Sequence, residues 1–349
     1  MLFRSIMELK KQNIDWENLG FSVHPTRSMW QSTCKVDDEW KNGGLIPFGN
    51  IEISPAAGVL NYGQGIFEGM KAFHSAKDRI VLFRPEMNGR RIAVSAKRLC
   101  MPEIPLDYFI NAVKQVVQDN IDFVPPYGKG GLYVRPVLWG TAPTLGVAPA
   151  NEYTFMVYTA PVGSYFKGKI TPLNLIASES YHRAAPKGIG NVKAIGNYSA
   201  SLQPVMEAKA DGFDEVLYLR ADNEKIVEEV GSANIFMRKG NELVTPKLAG
   251  SILPGITRNS IIKLAEDHLG LNVIEGDLLL EDIFTADEVF CTGTAVVVTP
   301  VGRVTYRGET HLIHDGNMGE AATELRKTLV GIQREEIDDP YSWVYPVSS

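Results

Sequence analysis

The chain has 349 residues, 44% apolar and 22% charged, an ordinary globular balance with length enough for two domains. Its net charge of −6, with basic residues scattered among acids, excludes a nucleic-acid platform, which needs clustered Lys and Arg. No apolar run reaches the roughly 18–20 residues that span a bilayer, and Cys34, Cys100 and Cys291 are too few and too widely spaced for a disulfide framework or a metal site.

The opening "MLFRSIMELKKQNIDWENLG" carries Glu8, Asp15 and Glu17, which suit neither an apolar secretory segment nor an acid-poor transit peptide. A cytoplasmic protein is expected, or an organellar form already trimmed. After this irregular stretch, "GNIEIS" and "GVLNYGQGIFEGMKAF" read as strand and glycine-punctuated turn, and "RIVLFRP" as a strand that stops at Pro85. "EMNGRRIAVSAKRLCM" places Ile92, Ala96 and Leu99 at helical spacing, and "LDYFINAVKQVVQDNIDFV" reads as a second helix ending before Pro125. "GGLYVRPVLWG" and "EYTFMVYTAPV" are strands rich in β-branched and aromatic residues. Pro and Gly then concentrate in "PVGSYFKGKITP", which sets a linker at 161–172 between an N-terminal domain, 1–160, and a larger C-terminal one, 173–349.

Beyond the linker, a helix is expected over 197–211, then strands "DEVLYL" and "EKIVEEV", and a hairpin "ANIFMRKGNELVTP" turning at "KGN". A turn "ILPG" leads into a helix from Thr257, followed by "LNVIEGDLL", a helix "LEDIFTA" and the strand region "EVFCTGTAVVVTPV". Helix and strand mix in both halves, so the class is α/β or α+β.

Four stretches carry candidate chemistry, each with a plain alternative. In "KGIGNVKAIGNY", Lys193 lies among small residues that would let a flat cofactor approach the backbone, with Tyr198 the next hydrogen-bonding side chain; a solvated loop lysine is the alternative. In "EEVGSANIF", strand alternation puts Glu228 and Glu229 on opposite faces, so one of them at most reaches a shared site, with Ser232 and Asn234 nearby. In "SILPGITRNS", Gly255, Ile256 and Thr257 start a helix whose free N–H groups could meet an anion, or could simply face water. In "CTGTAVVV" a Thr-Gly-Thr turn offers hydroxyl and N–H groups, or is a hairpin corner. Arg84 and Arg135 suit a phosphate or carboxylate, or a structural ion pair.

Taken together, "NYGQGIFEGMKAF", "LFRPEMNGRR", "LYVRPVLWGTAPTLG", "PVGSYF", "NVKAIGNY", "EEVGSANIF", "ILPGITR" and "VFCTGTAVVVTPVG" resemble, in this order, the branched-chain amino acid aminotransferases of the fold-type IV pyridoxal-phosphate class. The resemblance runs from about residue 17 to about residue 310. It implies a two-domain fold with pyridoxal 5′-phosphate at the domain interface, and a homodimer or larger assembly in which each pocket borrows from the neighbouring subunit. It implies that Lys193 is the covalent attachment point and base, that Tyr198 bonds the ring hydroxyl, and that Glu229 pairs with the ring nitrogen. Arg84, Ile256, Thr257 and Thr294 would hold the phosphate, with Ser232, Asn234, Leu253 and Gly255 completing the cofactor site. Tyr62, Tyr133, Tyr165, Thr294 and Ala295 would line the substrate pocket, and Arg135 would meet the acidic 2-oxo acid.

The activity so implied is reversible, ping-pong transfer of the amino group of L-leucine, L-isoleucine and L-valine to 2-oxoglutarate. Mammalian members carry a redox C-x-x-C after the Thr-Ala turn; Val296 and Thr299 stand there, so no thiol switch is expected. A D-amino acid aminotransferase, an aminodeoxychorismate lyase and a non-enzymatic cofactor-holding protein are the rivals. A nucleotide-binding dehydrogenase is set aside, because neither "YGQGIFEG" nor "GKGG" gives G-x-G-x-x-G between strand and helix.

Overall fold

A computed structural model describes residues 14–163 and 170–347. The described residues build two sheets with helices around them. The first, of eight strands, runs Val344–Pro346, Ile80–Phe83, Met70–His74, Gly131–Gly140, Glu152–Val162, Ser28–Lys35, Gly43–Pro47, with Gly65–Phe67 also on Gly131–Gly140. The second, of nine, runs Asn223–Val230, Glu215–Arg220, Leu173–Ala177, Val297–Tyr306, Glu288–Gly293, Asn234–Lys239, Glu242–Pro246, Asn272–Gly276, with Glu309–Leu312 on Val297–Tyr306. The last strand before the crossing ends at Val162 and the second sheet begins at Leu173, while the tail strand Val344–Pro346 returns to pair with Ile80–Phe83.

Helix Leu106–Asp119 buries Phe109, Ala112, Val113, Val116 and Val117, the three-and-four spacing of one helical face. It shares a core with Ile92 and Ala96 of helix Pro85–Arg98 and with Leu132, Val134 and Phe155 of the first sheet. Arg84 takes a left-handed conformation (φ 49°, ψ 46°), which ends strand Ile80–Phe83 and lets Pro85 start that helix at once.

Several elements differ from expectation for local reasons. "GNIEIS" forms no strand; Gly43–Pro47 pairs with Ser28–Lys35 instead, ahead of the turn-forming Gly49 and Asn50. Ser28–Lys35 carries no strand signature, because two serines and a cysteine stand beside Trp30 on its inward face, where a strand usually shows branched apolar residues. The side chain of Asn120 completes it, accepting from the Ser28 N–H at 3.1 Å and donating to the Ser28 carbonyl at 3.0 Å. Residues 58–62 of the glycine-rich stretch form a short helix, Gly58–Tyr62. The single helix expected over 197–211 is two, Ile195–Ser199 and Leu202–Ala210. Pro204 lacks an N–H and is best placed in a first turn, so the helix restarts just before it. The hairpin at 239–241 forms as expected, with Gly240 at φ 59°.

Helices Ile256–Leu269 and Glu320–Gln333 pack on one face of the second sheet, over Phe236 and Phe290, whose rings stack at 5.3 Å. The same cluster takes in Phe83 and Trp343, their rings edge to face at 5.7 Å. The Trp343 carbonyl also accepts from the Arg84 N–H at 2.8 Å. Trp343 thus ties first-sheet elements to second-sheet helices. Trp343→Ala is expected to cost about 3–5 kcal/mol, measured as a lowered denaturant midpoint.

Candidate active site

Lys193 is held by its backbone against helix Pro85–Arg98 and strand Gly65–Phe67. Its N–H donates to Ser95 Oγ at 3.1 Å, its carbonyl accepts from the Phe67 N–H at 3.1 Å, and Ala194 bridges Ile66. Its Nζ donates to Tyr198 Oη at 2.7 Å and lies 4.6 Å from the Phe67 ring. Burial, then the charge of Arg91, lowers the ammonium to about 8, so the neutral amine is accessible near neutrality. Burial pushes Tyr198 up to about 12, so it stays a phenol.

Glu229 is buried and reached by Arg183 at 2.5 Å, the Leu253 N–H at 3.1 Å and Asn234 Nδ2 at 3.2 Å. Burial lifts its carboxyl to about 7 despite Arg183. Of the two adjacent glutamates Glu229 lines the cleft with Tyr198, and Arg183 Nε also lies 4.0 Å from Glu228. The ladder between Asn223–Val230 and Glu215–Arg220 shifts register between Val227 and Val230.

The second-sheet helix Ile256–Leu269 begins after Gly255 with no side-chain cap, and Ile256 and Thr257 line a cavity of about 540 Å³ together with Thr294 and Ala295. Gly255 is required there, since a Cβ would lie 2.0 Å from Asn234 Oδ1. Thr294 Oγ1 donates to the Gly69 carbonyl at 3.3 Å. Tyr198, Glu229, Ser232 and Leu253 line a smaller cleft with Arg183. Thr299 Oγ1 donates to the Val296 carbonyl at 2.8 Å, bracing the turn after Ala295.

Tyr133 and Arg135 share one face of Gly131–Gly140, with Arg135 Nη2 donating to Tyr133 Oη at 3.1 Å and its guanidinium 4.7 Å from the Phe67 ring. They join Lys193 around that ring. Tyr62 stays apart: it is 43% exposed and its hydroxyl donates to the Leu145 carbonyl on the outer surface. Tyr165 lies outside the described residues.

Arg84 is not brought to Lys193. Its Nη1 donates to Ser260 Oγ at 2.8 Å and its guanidinium sits 4.8 Å from the Trp343 ring, so it braces the helix one turn past Thr257. The guanidinium that stands by the lysine is Arg91, two helical turns on. It grips buried Glu68 through Nε and Nη2 at 2.8 and 2.7 Å, donates from Nη1 to the Pro254 carbonyl at 3.0 Å, and its charge acts on Lys193 and Tyr198. Phe67, Glu68, Arg91 and Arg183 are additions to the residues expected from sequence. A buried acid in the apolar run "GIFEGM" demands a cation, and that is the available signal.

The donor set fits pyridoxal 5′-phosphate: a desolvated lysine for an aldehyde carbon, a buried carboxylate for a ring nitrogen, and an uncapped helix start for a phosphate. Residues 65–304 match the amino-transferase class IV family. The chain belongs to the class IV aminotransferases, as the order of its motifs implies. It is 49% identical over 336 residues to branched-chain amino acid aminotransferase 2, chloroplastic, of Humulus lupulus, covering 96% of this chain and 82% of that one. It is 48% identical over 337 residues to branched-chain-amino-acid aminotransferase 3, chloroplastic, of Arabidopsis thaliana, covering 96% and 81%. Its fold superposes on that of a branched-chain amino acid aminotransferase from Thermobaculum terrenum, solved in its pyridoxal-phosphate holo-form. The TM-score is 0.80 at 24% identity, with 93% and 99% of the two chains covered.

The rate at which added pyridoxal phosphate attaches to the cofactor-free chain is expected to rise with pH and level off above about 8, followed by visible absorbance. A midpoint near the ordinary lysine value of about 10.4 would show Lys193 to be solvated.

Proposed function

We propose that this aminotransferase moves the amino group of L-leucine, L-isoleucine and L-valine to 2-oxoglutarate, reversibly and by a ping-pong course, giving branched 2-oxo acids and L-glutamate. The observation that carries the reading is Lys193, desolvated, lowered to about 8 and 2.7 Å from Tyr198, with buried Glu229 across the adjoining cleft. Pyridoxal 5′-phosphate is the cofactor and, when bound, supplies the sink for the electrons left at the substrate Cα.

Lys193 Nζ would take the proton from the substrate Cα and deliver it to the carbon on the far side of the amino nitrogen, a transfer for which an amine near 8 is well matched. Glu229 holds a proton on the ring nitrogen, kept in place by Arg183, Leu253 and Asn234. Tyr198 orients the ring hydroxyl. Arg91, in place of Arg84, takes the phosphate with the Ile256–Thr257 helix start and Thr294, because it is the guanidinium beside Lys193 and the Pro254 carbonyl. Arg135 and Tyr133 receive the far carboxylate of the 2-oxo acid, while Phe67 and Ala295 present apolar surface to a branched side chain. Apolar selection is shallow, about 1–3 kcal/mol per methylene, so the three branched substrates are expected to react comparably.

The chain divides near 161–172, with Val344–Pro346 belonging to the first unit because it completes that sheet. A homodimer is supported by the exposed Tyr62, Leu145 (92% exposed) and Val147 (87% exposed), an apolar group that a second copy would cover.

A coupled assay with 2-oxoglutarate should show turnover of L- but not D-leucine, and activity confined to D-leucine would overturn the reading. Lys193→Ala should abolish turnover and the visible band of attached cofactor. Arg91→Gln should weaken cofactor affinity by about tenfold or more, the worth of a charge-assisted hydrogen bond. Arg84→Gln should lower thermal stability and leave affinity nearly intact; the reverse pattern would restore Arg84 to the phosphate.

A further inference from the structure

The 540 Å³ cavity has a second chemistry beyond the helix start. Among the described residues, its lining includes four basic side chains, Lys71, Arg326, Lys327 and Arg334, against one acid, Glu336. Glu336 Oε1 accepts from Tyr127 Oη at 2.7 Å and lies 4.0 Å from Arg334, so it offsets part of that one cation and, among the described residues, leaves Lys71 and Arg326 without a carboxylate. Arg326 spends its Nη1 on the carbonyls of Val296 and Val298, at 3.2 and 2.7 Å, which holds it in place without neutralising it.

Lys71 is the residue that needs an explanation. It pairs across the ladder with Tyr133, so both project from the same face of the first sheet, while its neighbours Met70 and Ala72 are buried on the other. Among the described residues its ammonium has neither a carboxylate nor a hydrogen-bond partner. Burial, and then repulsion from Arg326 and Arg334, lowers it to about 8. A desolvated ammonium facing two guanidinium groups is unfavourable unless an anion sits among them.

We propose that Lys71, Arg326 and Arg334 form a second oxyanion site, beside the one for the cofactor's phosphate, that takes a small doubly charged anion of the phosphate class. The cations approach from separate elements, Lys71 from strand Met70–His74, Arg326 from the middle of helix Glu320–Gln333 and Arg334 from its C-terminal cap, so they suit tetrahedral oxygens better than one planar carboxylate fork. The site adjoins the Thr294–Ala295 turn through Arg326, whose two acceptors, Val296 and Val298, follow that turn. An anion there would be felt by the substrate end of the pocket.

The proposal rests on the cofactor phosphate lying at the Ile256–Thr257 helix start, so the test uses the cofactor-saturated protein. Thermal midpoints are measured with rising inorganic phosphate at constant ionic strength, against potassium chloride and against glutarate. The midpoint is expected to rise with phosphate alone. Lys71→Met should weaken the apparent phosphate affinity about tenfold or more, and Lys71→Arg, which keeps the charge, should retain it. Equilibrium dialysis should find one phosphate per subunit beyond the cofactor's own. A response confined to cofactor-free protein would mean that Lys71 serves only the cofactor's phosphate and would overturn the proposal. So would an unchanged response in Lys71→Met, or chloride or glutarate acting equally. Failure of the cofactor reading would show separately, as no visible absorbance after pyridoxal phosphate is added.

Discussion

The site depends on keeping an amine both buried and able to shed its proton. Lys193 sits where water is scarce, and a positive charge beside it tips the balance further by repulsion. That charge is Arg91, and it can remain there only because Glu68, fully buried, grips it through both oxygens and also takes donors from Asn88 and the Gly69 N–H. Glu229 and Arg183 repeat the arrangement at the other end of the site. Two buried arginine–carboxylate pairs therefore set the electrostatics, with opposite members facing the reacting groups. Buried pairs are weak evidence for stability; their value here is that each fixes the charge its neighbour experiences.

The fold is readable wherever apolar spacing is strong. Helices Pro85–Arg98 and Leu106–Asp119 and strands Gly131–Gly140 and Glu152–Val162 lie close to where their patterns put them. The strand Ser28–Lys35 is not readable, because serines and a cysteine occupy much of its inner face and the side chain of Asn120, about ninety residues away in sequence, supplies its hydrogen bonds. "GNIEIS" shows the converse, a branched alternation beside turn residues with no partner strand to pair with.

At the site, residues with distinctive local contexts stand out in the sequence: Lys193 among glycines, Tyr198 five residues on, Glu229 before a turn. Arg84 and Arg91 are not separable there, since both are arginines in one short stretch, and only the helix between them decides which one turns toward the lysine. Arg183 is invisible because its role is defined wholly by a carboxylate some forty-six residues further along.

The tail strand Val344–Pro346 gives the molecule a mechanical character that neither sheet has alone. The chain passes from the first sheet to the second after Val162 and comes back before Val344, so the two halves are joined at two separate points. Bodies tethered once can swing apart in any direction. Bodies tethered twice are left chiefly with rotation about the line through both tethers, and Trp343, wedged against Phe83 beside the second crossing, stiffens that axis. Across the same two halves the Lys193 carbonyl accepts from the Phe67 N–H and its own N–H donates to Ser95 Oγ, so the place of the lysine is set by how the doubly tethered halves meet.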